Sequence, residues 1–215
     1  MKKALIIPSL LMLLFTVSCH AETRAESSLR VAGHVVYGES DYQKLSIPNN
    51  RLGFQLLTLV EEHDVGNFLI SPTSLMMALG MVYNGADGNT KKEIAEAMQL
   101  KGIDVKTFNQ ANASLMMMLD KHTDHLTLAV ANSIWMNDQF RAQERYTHIT
   151  RDYFNAKVQE VSMADVKTPD LINEWVIQRT NGTIEKLIEG PLNEDVVAVL
   201  MNAIYFKGNW TFPFD

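Results

Sequence analysis

Few side chains in this sequence stand at spacings that chemistry could use. Cys19 is the single cysteine, so any thiol nucleophile would have to be this residue, and it closes an apolar run instead of facing a base. His122 and His125 stand three residues apart in a polar stretch without an obvious acidic third ligand, a pattern that reads as a solvated turn and not as zinc ligation. Glu61-Glu62-His63-Asp64 reads as a helix end meeting a loop, with nothing local to raise a carboxylate pKa toward catalytic use. The chain has neither a G-x-S-x-G elbow nor a phosphate-binding loop, and no cofactor is expected. What stands out is polar residues in apolar surroundings. Ser71 and Ser74 lead into a run of Leu and Met, and Asn202 interrupts the apolar stretch Val196–Phe206. A buried amide without a partner costs about 1–3 kcal/mol. From the residues alone, these three belong to a satisfied structural network.

The composition bounds the rest. A chain of 215 residues that is 47% hydrophobic and 20% charged has globular composition and enough apolar material for one sizeable domain. The net charge of −6 is modest and the Lys and Arg residues are scattered, so a nucleic-acid partner is not expected. Lys2 and Lys3 precede an apolar run from Ala4 to Val17, which reads as an export signal too short for a permanent membrane span. Cys19, where small residues end that run, resembles the lipobox of bacterial lipoproteins, in which the thiol takes a lipid after cleavage. Thr16 departs from the Leu usual three places earlier, and a cut after Ala21 by an ordinary signal peptidase is the alternative. Residues 1–21 are therefore read as the export signal and 22–50 as a polar tether. Residues 51–215 are read as the folded part, displayed outside the cell or on its envelope, with the membrane as partner if Cys19 is lipidated.

Within the folded part, Gly53, Leu56, Leu57 and Val60 have helical spacing from near Leu52. Asn67–Ile70 reads as a short buried strand. Ser71-Pro72 opens a second helix, with serine as cap and proline at the first helical position; apolar all round, it should run through the middle of the protein. Its methionines read as core filling. Thr90 and Glu93 form a capping box for a third helix, and Phe108, Ala111, Leu115, Met118 and Leu119 mark a fourth. From Leu126 to Met136 the period becomes two, with Leu128, Val130, Ile134 and Met136 on one face and Ala129, Ala131 and Trp135 on the other. A helix around Tyr146–Phe154, a strand at Lys157–Val161 and a helix opened by Thr168-Pro169 and closed by Asn181-Gly182 follow. Val196–Phe206 should be a central strand covered on both faces. Such a strand needs neighbours on both edges, so the sequence is expected to be a fragment of a longer protein or a truncated gene product.

Asn67-Phe-Leu-Ile-Ser71-Pro-Thr-Ser74-Leu-Met-Met-Ala-Leu-Gly80-Met-Val-Tyr-Asn-Gly85-Ala is similar to strand 6B and helix B of the serpin family. Asn132-Ser-Ile-Trp135 resembles strand 2A, Ile172-Asn-Glu-Trp175 with Thr180-Asn-Gly182 resembles helix F, and Asn202-Ala-Ile-Tyr-Phe206-Lys207-Gly208-Asn-Trp210 resembles strand 3A and its exit. The resemblance implies an α+β serpin-like fold with strands of sheet A and sheet B, incomplete at the C-terminus. It implies an endopeptidase inhibitor and not an enzyme: a suicide substrate for serine or cysteine proteases, whose cleaved reactive loop inserts into sheet A. By match to the motif, Ser71, Ser74 and Asn202 fall in the shutter where sheet A parts, and Trp210 in the breach where insertion begins. The loop itself is expected to lie outside these residues. A non-inhibitory serpin-like binding or structural protein is the alternative.

Overall fold

The computed structural model describes residues 31–61, 67–123, 125–210 and 212. Its organising element is β2 (Leu126–Asn137), a strand of 12 residues that is paired on both edges. One edge holds β1 (Lys121–His122), antiparallel, and further along β3 (Ala156–Val161), parallel. A parallel neighbour needs a crossover connection, and α5 (Glu144–Phe154) supplies it. The other edge carries β4 (Ala198–Gly208), antiparallel, in register from Leu126↔Gly208 to Met136↔Ala198.

Period-two alternation along β2 sorts its side chains between two cores. Ile134 and Met136 pack with Met76 and Met81 of α2 (Pro72–Gly85), Phe108 of α4 (Val105–Leu119) and Phe154 of α5, while Val130 meets Met77 and Met116. Trp135 faces the other way, joining Met201 of β4 and Ile172, Trp175 and Val176 of α6 (Thr168–Arg179). The faces are those the alternation predicts, and a mixed sheet in which β1 and β4 pair antiparallel with β2, packed against helices, makes the architecture α+β.

Helix starts show how local chemistry sets the boundaries. Ser71 caps α2 by accepting from the Ser74 amide at 3.3 Å, with Pro72 in the first turn. Asp104 caps α4, and the bonds from Thr107 hold its carboxyl below the usual carboxylate range. The expected Thr90–Glu93 box is not the cap of α3 (Gly88–Ala97). That role falls to Asp87, because Gly88 at φ +57° turns the chain into the helix earlier, leaving Glu93 to accept from Asn89 at 2.6 Å.

Three further expectations need correction. The segment Asn67–Ile70 is neither strand nor buried: it pairs with none of β1–β4, and Leu69 is 98% exposed, because an isolated apolar run has no ladder to join. The fold begins before residue 51. A 3-10 helix at Asp41–Leu45 runs into α1 (Ser46–Glu61), Leu45 is buried, and the Ser114 hydroxyl donates to the Glu39 carbonyl at 2.9 Å. Pro48 sits in the first turn of α1, where its missing N–H breaks no intrahelical bond. Finally, β4 is not central among the described residues: β2 is its one strand neighbour, and Phe206 is exposed. Likewise α2 is not buried all round, for Val82 faces outward. Cys19, the rest of the export signal and most of Glu61–Asp64 lie outside the described residues.

Tyr146 of α5 packs against Gly85 at the end of α2, where an added Cβ would come within 3.0 Å of its ring. Burial pushes its phenol up to about 12 from 10.0. The folded state thus keeps a proton that the unfolded chain releases. This stabilisation is complete below the ordinary tyrosine pKa and is lost as pH rises toward about 12. Tyr146→Phe is expected to move the alkaline unfolding midpoint upward, followed by circular dichroism; an unchanged midpoint would contradict the buried phenol.

Candidate functional site

Polar residues on the face of the sheet that packs against α2, α4 and α5 form a chain of amides. Asn202 and Asn132 stand directly opposite each other in the β4–β2 ladder. The Asn202 Nδ2 donates to Asn132 Oδ1 at 2.9 Å and lies 3.5 Å from Met77 Sδ of α2. The Asn132 Nδ2 in turn donates to the Phe154 carbonyl at 2.8 Å, at the end of α5. Asn112, fully buried on α4, donates to the neighbouring Tyr153 carbonyl at 2.9 Å and touches Met116 Sδ. Side chains from two strands and one helix thus converge on one helix terminus, whose last carbonyls lack intrahelical donors.

The network is not closed. Asn202 Oδ1 and Asn112 Oδ1 are buried without a hydrogen-bond partner, each an acceptor that has lost water without replacement. Asn173 of α6 shows the contrast: its Oδ1 accepts from the Leu187 and Ile188 amides and its Nδ2 donates to the Ile188 carbonyl. That residue is a finished structural clamp, whereas the Asn132–Asn202 pair leaves Asn202 Oδ1 without a donor. These groups are neutral amides and thioethers, with no proton to transfer and no nucleophile. Their chemistry is that of a latch holding β4 beside β2.

Of the residues singled out in the sequence, Asn202 is in this latch. Ser71 and Ser74 are not bonded to it. They bond to each other at the start of α2, Ser71 Oγ donating to Ser74 Oγ at 2.9 Å, and Ser71 is exposed. Their link to Asn202 is Met77, one turn further along the same helix. Trp210 stands two residues beyond β4 and is 72% exposed. Asn132 and Asn112 were missed as site residues. The signal for Asn132 was present, an amide inside the apolar Leu126–Met136 run, the same feature that marks Asn202. Asn112 is hidden by polar neighbours on its own helix, Asn109 and Gln110.

The family model described as Serpin (serine protease inhibitor) matches residues 48–215. Serine protease inhibitor 42Dd of Drosophila melanogaster is 34% identical over 164 residues, covering 75% of this chain and 44% of that protein. Among solved structures, human glycosylated kallistatin superposes with a TM-score of 0.76 at 26% identity, covering 82% of this chain and 48% of that one. Tengpin, a thermophilic serpin solved in the latent state, gives a TM-score of 0.70 at 28% identity, covering 84% and 47%. The chain spans less than half the length of these relatives.

Proposed function

The chain belongs to the serpin family, and from that premise we propose that it forms the sheet-A-bearing part of a protease inhibitor that works by loop insertion. One observation carries this reading: β4 is hydrogen-bonded to β2 along one edge, its other edge meets no strand among the described residues, and Asn202 ties it to β2 and α2. A strand arriving at that edge would satisfy a row of backbone donors and acceptors at once, a gain large enough to drive a conformational change. On this reading the reactive loop lies in protein outside these 215 residues. After a serine or cysteine protease has cleaved the loop and become acylated by it, the loop enters beside β4. Ser71, Ser74 and Asn202, now with Asn132, act as the shutter, and Trp210 marks where insertion starts.

The test uses the full-length protein mixed with trypsin-, chymotrypsin-, elastase- and papain-type enzymes. An SDS-resistant complex with at least one of them is expected on gels. Cleavage of the protein by all of them with no complex formed would overturn the inhibitory mechanism and leave a non-inhibitory member of the family. The 215-residue chain alone should form no complex, and a stable acyl-enzyme with it would refute the placement of the loop elsewhere.

A further inference from the structure

The last carbonyls of a helix have no donor within the helix, and at the end of α5 three in succession are met from three different parts of the molecule. The Asp152 carbonyl accepts from the backbone N–H of Ala32 at 3.3 Å. The Tyr153 carbonyl accepts from Nδ2 of Asn112 on α4 at 2.9 Å, and the Phe154 carbonyl from Nδ2 of Asn132 on β2 at 2.8 Å. The helix stops there because Asn155 turns left-handed, at φ +47°. One helical turn thus joins the N-terminal segment, a core helix and the amide latch.

The segment that reaches Asp152 is bound along its length. His34 Nε2 lies 2.9 Å from Asp152 Oδ2, and Gln110 Nε2 of α4 donates to the Val36 carbonyl at 2.8 Å. The buried Ser114 hydroxyl of α4 donates to the Glu39 carbonyl at 2.9 Å and accepts from the Tyr42 amide at 3.2 Å. Val35 is buried, and Leu45 shares a core with Phe108 and Phe154. Residues 31–40 form neither helix nor strand, so the order of this strap comes from what it touches. The path from strap to sheet is bonded at each step: His34 to Asp152, one turn of helix to Phe154, the Phe154 carbonyl to Asn132, and Asn132 to Asn202. Opening of that turn is a local event which both ends oppose, because the strap and Asn132 each bond only to its closed form. Linkage then makes each strengthen the hold of the other.

We propose that residues 31–45 are a regulatory strap, whose docking on α4 and α5 closes the last turn of α5 and thereby tightens the amide latch between β2 and β4. One consequence rests on the inhibitor reading above: a docked strap raises the barrier to a strand arriving beside β4, and an undocked strap lowers it.

Native-state hydrogen exchange, resolved by residue with NMR, tests the coupling without any protease, so its outcome is independent of whether a protease complex forms. His34→Ala combined with Ser114→Ala removes three side-chain bonds of the strap. Exchange should then quicken at least about tenfold at Asn155, whose amide caps α5, and at the β4 amides that face β2, while Trp175 and Val176 of α6 stay within about twofold of the parent. In the reverse direction, Asn202→Leu leaves every strap contact in place, yet should quicken exchange at the Val35 and Tyr42 amides at least about threefold. Faster exchange confined to the strap in the double variant, or spread equally over all elements including α6, would overturn the coupling. So would strap amides unmoved by Asn202→Leu, a measurement that decides alone if the double variant does not fold.

Discussion

Gly80→Ala will lower the urea midpoint of this protein, although alanine is the better helix former. Gly80 lies in the middle of α2, and a Cβ there would come 2.7 Å from Cζ of Phe108 and 3.0 Å from Cε1 of Phe154. Both rings are completely buried and already engaged: Phe108 meets Tyr83 edge-on at 5.9 Å and Phe154 at 6.3 Å. Neither can retreat without displacing the core around Ile134 and Met136. Alanine regains up to about 1 kcal/mol of helix propensity, but overpacking a close-packed interior costs about 1–3 kcal/mol. A net loss of roughly 1–2 kcal/mol is therefore expected, and Gly80→Val, with a branched side chain, should fail to accumulate as folded protein. Phe108→Leu in the Gly80→Ala background should recover part of the loss. A raised midpoint in Gly80→Ala would mean the rings have room, and the close approach would have no energetic meaning.

The amide latch gives the second large effect, through an asymmetry between its two members. Asn132→Leu removes both an acceptor and a donor, leaving Nδ2 of Asn202 with only the weak Met77 Sδ acceptor and stranding the Phe154 carbonyl, beside an Oδ1 that already has no partner. Each newly orphaned buried group costs about 1–3 kcal/mol, so a loss of roughly 2–4 kcal/mol is expected for this substitution. Asn202→Leu leaves only Asn132 Oδ1 unpaired while removing an orphaned acceptor from the interior, and should cost about 1 kcal/mol. The double substitution should be milder than the sum by roughly 1–2 kcal/mol, since it deletes the stranded amide along with its partner. A double-mutant cycle in urea measures this, and additivity within about 0.5 kcal/mol would mean that the two amides do not act as one unit.

How much of this was legible beforehand depended on whether the information is local. The alternation along Leu126–Met136 separates the two cores correctly, and Ser71-Pro72 marks the start of α2, because both signals lie within one element. The Asp87 cap was missed because Thr90 and Glu93 satisfy the same rule three residues later; the backbone of Gly88 decides between them. The start of the fold was placed late because Asp41–Leu45 looks polar, yet Leu45 alone carries it into the core. For the latch, the sequence shows that Asn202 is out of place in its run, but not that Asn132 would lie across from it or that the end of α5 would present its carbonyl. Those are contacts between residues 70 and 22 positions apart.

Among the described residues β4 pairs with β2 alone, and this one-sided pairing will also appear in hydrogen exchange. In an antiparallel strand successive N–H groups point to opposite edges, so along Ala198–Gly208 the amides that face β2 should exchange slowly and their neighbours fast, alternating residue by residue. Along Asn132–Met136 of β2, flanked by β3 and β4, the rates should be uniformly slow. Anything that settles on the open edge of β4 as a strand will erase the alternation there, making its loss a position-specific signature of a newly arrived strand.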